Sequence, residues 1–92
     1  MQISEILSQS KDIHRWIVEK RRAIHRHPEL MYEEFETSRL VQNTLKELDI
    51  PYEKDIAITG VVGLIGNGTA PCIALRADMD ALPIHEEADV DF

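Results

Sequence analysis

The fold class is decided by the stretch VVGLIGNGTAPCIAL, residues 61–75. Its apolar residues are aliphatic or β-branched and are interrupted by glycines, a pattern typical of short strands. The segment Gly66–Gly68 lies between two apolar runs and predicts a hairpin, because its turn positions favour residues that tolerate positive φ. An edge strand precedes this stretch and is joined to it by a tight link at Thr59 and Gly60. We therefore predict three strands, at Tyr52–Ile56, Val61–Ile65 and Pro71–Leu75.

The first half of the chain has helical periodicity. Between Ser10 and His27 the apolar residues recur every three or four positions and form one stripe, which predicts a helix that ends before Pro28. A second helix is predicted over Tyr32–Leu48, with Asp49 as a left-handed residue at its C-terminal end. Together with the strands, this gives the order α-α-β-β-β and an α/β fold class.

Composition excludes several classes of function. The 92 residues include 10 Lys and Arg but 17 Asp and Glu, for a formal net charge of −7. This acidic balance argues against nucleic-acid partners and against an anionic membrane surface. No apolar run is long enough to span a bilayer, and the N-terminus lacks the pattern of a secretory signal. The single cysteine, Cys72, fits a reducing compartment and is expected to be buried in the third strand. The sequence therefore indicates a cytoplasmic globular protein.

The residues best suited to chemistry follow the third predicted strand. Asp78 and Asp80 lie two positions apart and project to the same side if the backbone stays extended. Such a pair suits a hard cation, with Glu86 as a further ligand, or the orientation of a metal-binding histidine or a base. Alternatively, both acids are solvated or cap a turn. Arg76 is expected to form an ion pair with one of them.

Four blocks of sequence carry a family resemblance. They are RRAIH (residues 21–25), PEL with EEFETS (28–30 and 33–38), TGVVG (59–63) and ALRADMDALPI (74–84). Their order and spacing resemble the metal-dependent aminoacylase/carboxypeptidase family over about residues 16–86. The matching branch contains hippurate hydrolases, bacterial N-acyl-amino-acid amidohydrolases and the plant hydrolases of indole-3-acetate (IAA)–amino acid conjugates.

The resemblance implies that residues 1–92 are the N-terminal part of a catalytic domain in which helices flank a central sheet. It also implies hydrolysis of an N-acyl-amino acid by water activated at two metal ions, Zn²⁺ or Mn²⁺, with a glutamate moving the proton. An inserted dimerisation domain would make the full-length enzyme a homo-oligomer. By the same resemblance, Asp80 has a supporting role, because in related branches the matching aspartate orients a metal-binding histidine two residues before it. Asp78 stands where related branches have that histidine and is a second candidate for a supporting role.

The chain departs from the family's pattern in what it lacks. The family's metal ligands come from a Cys-Gly-His-Asp motif, a glutamate pair that contains the general base, and two later histidines, none of which lies within residues 1–92. We therefore expect the 92-residue chain to be inactive alone and to bind no metal well. The alternative interpretation is a truncated, non-catalytic module that pairs with a partner through an uncovered sheet.

Overall fold

The computed structural model describes residues 2–92 and divides the chain into two compact units. One unit consists of the chain up to His27 together with Glu87–Phe92, and the other is Pro28–Glu86. None of the described helices is long and apolar enough to cross a membrane.

The first unit is built from two helices, α1 at Ile3–Asp12 and α2 at His14–Arg26. They meet at Ile13, whose N–H donates to the carbonyl of Gln9 and whose carbonyl accepts from Ile17, so helical hydrogen bonding continues through the joint. Helix α2 confirms most of the predicted helix over Ser10–His27. Helix α1 was not predicted.

The C-terminal residues of this unit pack on α2. The ring of Phe92 meets the ring of His25 edge to face, with centroids 5.9 Å apart. The guanidinium of Arg22 lies 4.4 Å from the centre of the same ring, within the range of a cation–π interaction. The Nε of Arg26 donates to the carbonyl of Asp91 at 2.9 Å. Aromatic and charge-assisted contacts therefore hold this segment on the helix.

The second unit begins with helix α3, Phe35–Glu47, which lies within the predicted Tyr32–Leu48. Beyond the helix, Asp49 has φ 55°, which confirms the expected left-handed residue. Its N–H donates to the carbonyl of Lys46 at 3.1 Å, and the N–H of Ile50 donates to the carbonyl of Leu45 at 2.9 Å. This pair of bonds is the Schellman motif, which satisfies carbonyls that the end of a helix leaves without partners.

Strands β1, Tyr52–Ile56, and β2, Gly60–Gly63, follow and form an antiparallel pair. Tyr52 faces Gly63 in this ladder, and the register is irregular between Glu53 and Ile56. A Cβ atom on Gly63 would lie 3.3 Å from Leu45 Cδ2 of α3. The missing side chain at Gly63 therefore lets the sheet lie close against the helix.

The sheet has two strands, not the three predicted, although helices with a sheet agree with the α/β class. Residues 71–75 have no strand structure in the described chain, and Cys72 is exposed rather than buried. The hairpin predicted across Gly66–Gly68 is therefore not formed, although both glycines have the expected positive φ and the Oδ1 of Asn67 accepts from the N–H of Thr69 at 3.0 Å. A turn is fixed locally, whereas a strand requires a partner and a covered apolar face, and residues 71–75 have neither.

The interior of the described chain is polar. No described apolar residue is buried, and the buried residues are Glu34, Thr37, Ser38 and Thr59. All four belong to the 28–86 unit, three of them at the beginning of α3 and one next to β2. The order of this unit therefore depends strongly on hydrogen bonds around the N-terminus of α3.

Candidate functional site

Glu29 caps helix α3 from outside the helix. Its Oε2 accepts from the backbone N–H of Glu36 at 3.0 Å, and its Oε1 accepts from the backbone N–H and the hydroxyl of Thr37, each at 2.6 Å. The first N–H groups of a helix have no partner within it, and a carboxylate there also meets the positive end of the helix dipole. Glu29 thus caps the N-terminus of α3, a role that the residue directly before a helix ordinarily has.

The cap changes the acidity of Glu29. Burial raises the pKa of the carboxyl, since it disfavours the charged form. The hydrogen bonds from the Thr37 hydroxyl and from the backbone N–H groups of Glu36, Thr37 and Phe35 outweigh that cost, so the pKa lies below its ordinary value. Glu29 is therefore a carboxylate held in its charged form by α3.

Glu34 immediately precedes α3 but does not cap it. Its side chain instead accepts a hydrogen bond from the hydroxyl of Thr59 at 3.2 Å. The two residues are only 8% and 5% exposed. A buried carboxylate is costly without a hydrogen-bond partner, so this contact ties the beginning of α3 to the residue before β2.

Both aspartates singled out from the sequence line one pocket. It has a volume of about 370 Å³ and is formed within the 28–86 unit. One wall is the segment Arg76–Asp80. The others come from Met31, Tyr32 and Glu34, and from Ile56, Ala57, Thr59 and Gly60. Arg76 forms the expected ion pair, with its guanidinium 2.7 Å from Oδ1 of Asp78. Glu34, Asp78 and Asp80 therefore face the same space from two walls.

The pocket is not a metal site. The described residues contain no group of three or more His, Cys, Asp or Glu side chains placed to hold a metal ion. The proposed cation site at Asp78, Asp80 and Glu86 is therefore not formed. Asp78 is also largely exposed, with its carboxylate committed to Arg76. The residues present do not fit the Zn²⁺ or Mn²⁺ that the resemblance implies.

Sequence reasoning did not identify Glu29, Glu34 or Thr59 as functional. The helix predicted over Tyr32–Leu48 would contain Glu33 and Glu34 in its first turn, whereas α3 begins at Phe35. The usual signal of a cap is a polar residue directly before the helix. Glu29, the acid that caps α3, lies well upstream of the helix. This signal therefore does not identify it.

The chain is similar to several hydrolases. It is 52% identical over 80 residues to IAA-amino acid hydrolase ILR1-like 5 of Arabidopsis thaliana, which covers 87% of the chain and 18% of that relative. It is 47% identical over 92 residues to thermostable carboxypeptidase 2 of Saccharolobus solfataricus, or 98% of the chain and 23% of the relative. A hydrolase of Staphylococcus saprophyticus is 42% identical over 77 residues, or 84% of the chain and 20% of that protein.

The chain thus spans about a fifth of the length of the curated relatives it matches. No family model matches the chain. No solved structure matches it.

Proposed function

The chain belongs to the aminoacylase/carboxypeptidase family of hydrolases, and from this we propose that it is part of a longer enzyme that hydrolyses N-acyl-amino acids. The proposal is carried by a sequence identity of about 50% to two relatives that have different names. In one of them the similarity extends over almost the whole chain. The names of both relatives describe cleavage of an amide bond that releases an amino acid. An N-acyl-amino acid is the substrate class that both kinds of cleavage share.

In this proposal the acyl group is aromatic, as in hippurate or in an indole-3-acetyl conjugate. The indole-3-acetyl group is supported by the names of the plant relatives, which are IAA-amino acid hydrolases. The hippurate-like alternative rests on the sequence blocks that end in residues 74–84. Benzoylglycine (hippurate) and indole-3-acetylglycine differ only in the acyl group, so a direct comparison of their hydrolysis distinguishes the two.

The catalytic metal, Zn²⁺ or Mn²⁺ in this proposal, is bound by residues outside this chain, since the family's ligand motifs do not lie within residues 1–92. The contribution of this chain is to hold Asp80, and with it Asp78, beside the reacting centre. Asp80 then orients a metal-binding residue from another part of the enzyme. The same proposal makes the longer enzyme a cytoplasmic homo-oligomer.

The proposal is tested on the endogenous polypeptide, captured with an antibody against α3. The polypeptide is expected to have a mass several times larger than 10.5 kDa and to release the amino acid from hippurate, from the indole-3-acetyl conjugate, or from both. The purified 92-residue chain is the matched control and is expected to release none. A captured polypeptide of the larger mass that hydrolyses neither substrate would contradict the proposal.

A second candidate function is supported by the exposed apolar segment after β2. Ile73 and Leu75 are 88% and 97% exposed, and no strand pairs with them in the described chain. Exposed apolar patches mark interaction surfaces. If the captured polypeptide has a mass of 10.5 kDa and co-purifies with one partner in a fixed ratio, the chain is an interaction module and not part of a hydrolase.

A further inference from the structure

Glu29 takes part in two sets of hydrogen bonds within the 28–86 unit. Its carboxylate caps α3, and its backbone carbonyl accepts from the N–H of Ala81 at 2.8 Å. The N–H of Ala81 belongs to the peptide group that joins Asp80 to Ala81. Glu29 therefore connects the backbone directly after Asp80 to the N-terminus of α3 through hydrogen bonds.

The hydrogen bond from Ala81 is important because the segment around it has no regular structure. Residues 76–81 belong to no helix or strand, and Asp80 is exposed. Among the described residues, this is the backbone hydrogen bond that connects residues 76–81 to the rest of the unit. The position of the Asp80 backbone thus depends on where the carbonyl of Glu29 lies.

The position of that carbonyl depends in turn on the cap. Three hydrogen bonds hold the carboxylate end of Glu29, while Pro28 restricts the backbone on its other side. With the side chain released, residue 29 is restrained mainly through its neighbours in a stretch without helix or strand structure. The cap therefore restrains the side chain of Glu29 and, through it, the backbone carbonyl that accepts from Ala81.

We propose that Glu29 is a positioning residue, which holds Asp80 and the pocket wall at residues 76–80 in place through its carbonyl and its cap on α3. The proposal deepens, and rests on, the proposed hydrolase function, in which Asp80 orients a group at the reacting centre. Glu29 itself contacts no reacting atom. It acts through the backbone, so its effect extends to the orientation of Asp80 and not to substrate contacts.

The first test is amide hydrogen exchange in the full 92-residue chain. In Glu29→Ala the exchange of the Ala81 amide is expected to accelerate about tenfold or more, because the cap that restrains its acceptor is lost. The amide of Ile50, in the Schellman motif at the other end of α3, is expected to keep its wild-type rate. Glu33→Ala is the matched control, since it removes a nearby exposed acid that caps nothing, and it is expected to change neither rate.

Thr37→Val is a second variant for the case in which Glu29→Ala does not fold. It removes the hydroxyl donor to Glu29 while leaving residue 29 and the backbone donors intact, so a smaller acceleration at Ala81 is expected. Glu29→Gln keeps acceptor oxygen at the same position and is expected to restore part of the protection. Unchanged exchange at Ala81, or equal acceleration at Ala81 and Ile50, would overturn the proposal.

The second test is kinetic and uses the longer captured enzyme. Glu29→Ala is expected to lower kcat by up to about a hundredfold with KM nearly unchanged, because a misplaced orienting group affects the chemical step more than substrate binding. Glu33→Ala is expected to keep wild-type values. A wild-type kcat in Glu29→Ala contradicts the positioning role. If the wild-type enzyme itself hydrolyses nothing, the proposed function fails, and hydrogen exchange still decides whether Glu29 holds residues 76–81.

Discussion

The hydroxyl of Thr59 donates a hydrogen bond to the carboxylate of Glu34 at 3.2 Å, and both residues are buried. This contact joins the N-terminus of α3 to the residue directly before β2. No described apolar residue is buried, so the 28–86 unit depends on such polar contacts for its specific arrangement. The walls of the pocket are consequently held by hydrogen bonds, at Thr59 on one side and at Ala81 on the other.

Removing the hydroxyl of Thr59 is expected to destabilise the chain. Thr59→Val leaves the carboxylate of Glu34 buried without this donor, which costs about 1–3 kcal/mol in the free energy of unfolding. The measurement is urea-induced unfolding followed by circular dichroism. Thr69→Val is the matched control, because Thr69 is exposed and bonds only to Asn67, and we expect it to change stability by less than about 0.5 kcal/mol.

The variant that replaces both residues of this contact is expected to behave in the opposite way. Replacing both partners, in Thr59→Val with Glu34→Leu, removes the unsatisfied carboxylate together with its donor. Such a replacement is close to neutral when the shapes match, so the double variant is expected to regain most of the lost stability. A double variant as unstable as the sum of its two single variants would show that the two residues are not coupled.

Stability is expected to fall at acidic pH because of Glu29. The pKa of this carboxyl is lower in the folded chain than in the unfolded chain, so its contribution is fully present above the unfolded pKa, about 4.3, and is lost as the pH falls through the folded value. Glu29→Gln has no charge to lose. The stability difference between wild type and Glu29→Gln, measured by urea unfolding from pH 7 to pH 2.5, is therefore expected to shrink below about pH 4. A difference that stays constant over this range contradicts the role of the charge in the cap.

Asp49 is expected to be a site of easy stabilisation. Its φ of 55° is costly for a residue with a Cβ atom, and glycine adopts it without strain. Asp49→Gly is expected to raise the free energy of unfolding by about 0.5–1 kcal/mol, visible as a higher melting temperature. Glu47→Gly is the control inside the same helix and should lower stability by about 1 kcal/mol. A loss of stability in Asp49→Gly would mean that the aspartate side chain itself makes a stabilising contact.

The features that could be predicted from the sequence are those fixed by nearby residues. Helix α3, the end of α2 before Pro28 and the left-handed Asp49 all follow from periodicity and from residues with restricted φ. The link at Thr59 and Gly60 was likewise predicted and connects β1 to β2. Each depends on a short stretch of chain, which a sequence pattern describes well.

The features that could not be predicted depend on distant residues. The strand over residues 71–75, and with it the predicted hairpin, requires a partner that residues 2–92 do not supply, although Gly66 and Gly68 have the expected positive φ. The cap by Glu29 and the bond from Ala81 join residues that no spacing rule relates. Asp78 and Asp80 were identified as a pair, and both line the pocket, but Glu34 on the opposite wall had no signal beyond a place near a helix start.

We propose that this chain is part of a metal-dependent amidohydrolase whose metal ligands lie outside it. The most direct measurement is the rate at which the captured endogenous polypeptide releases amino acid from an N-acyl-amino acid, before and after chelation and then with Zn²⁺ or Mn²⁺ restored. We expect release that stops on chelation and returns with one of the two ions, while the isolated 92-residue chain releases nothing under any of these conditions. Release that persists unchanged after chelation, or full metal-dependent release by the 92-residue chain alone, would contradict the claim.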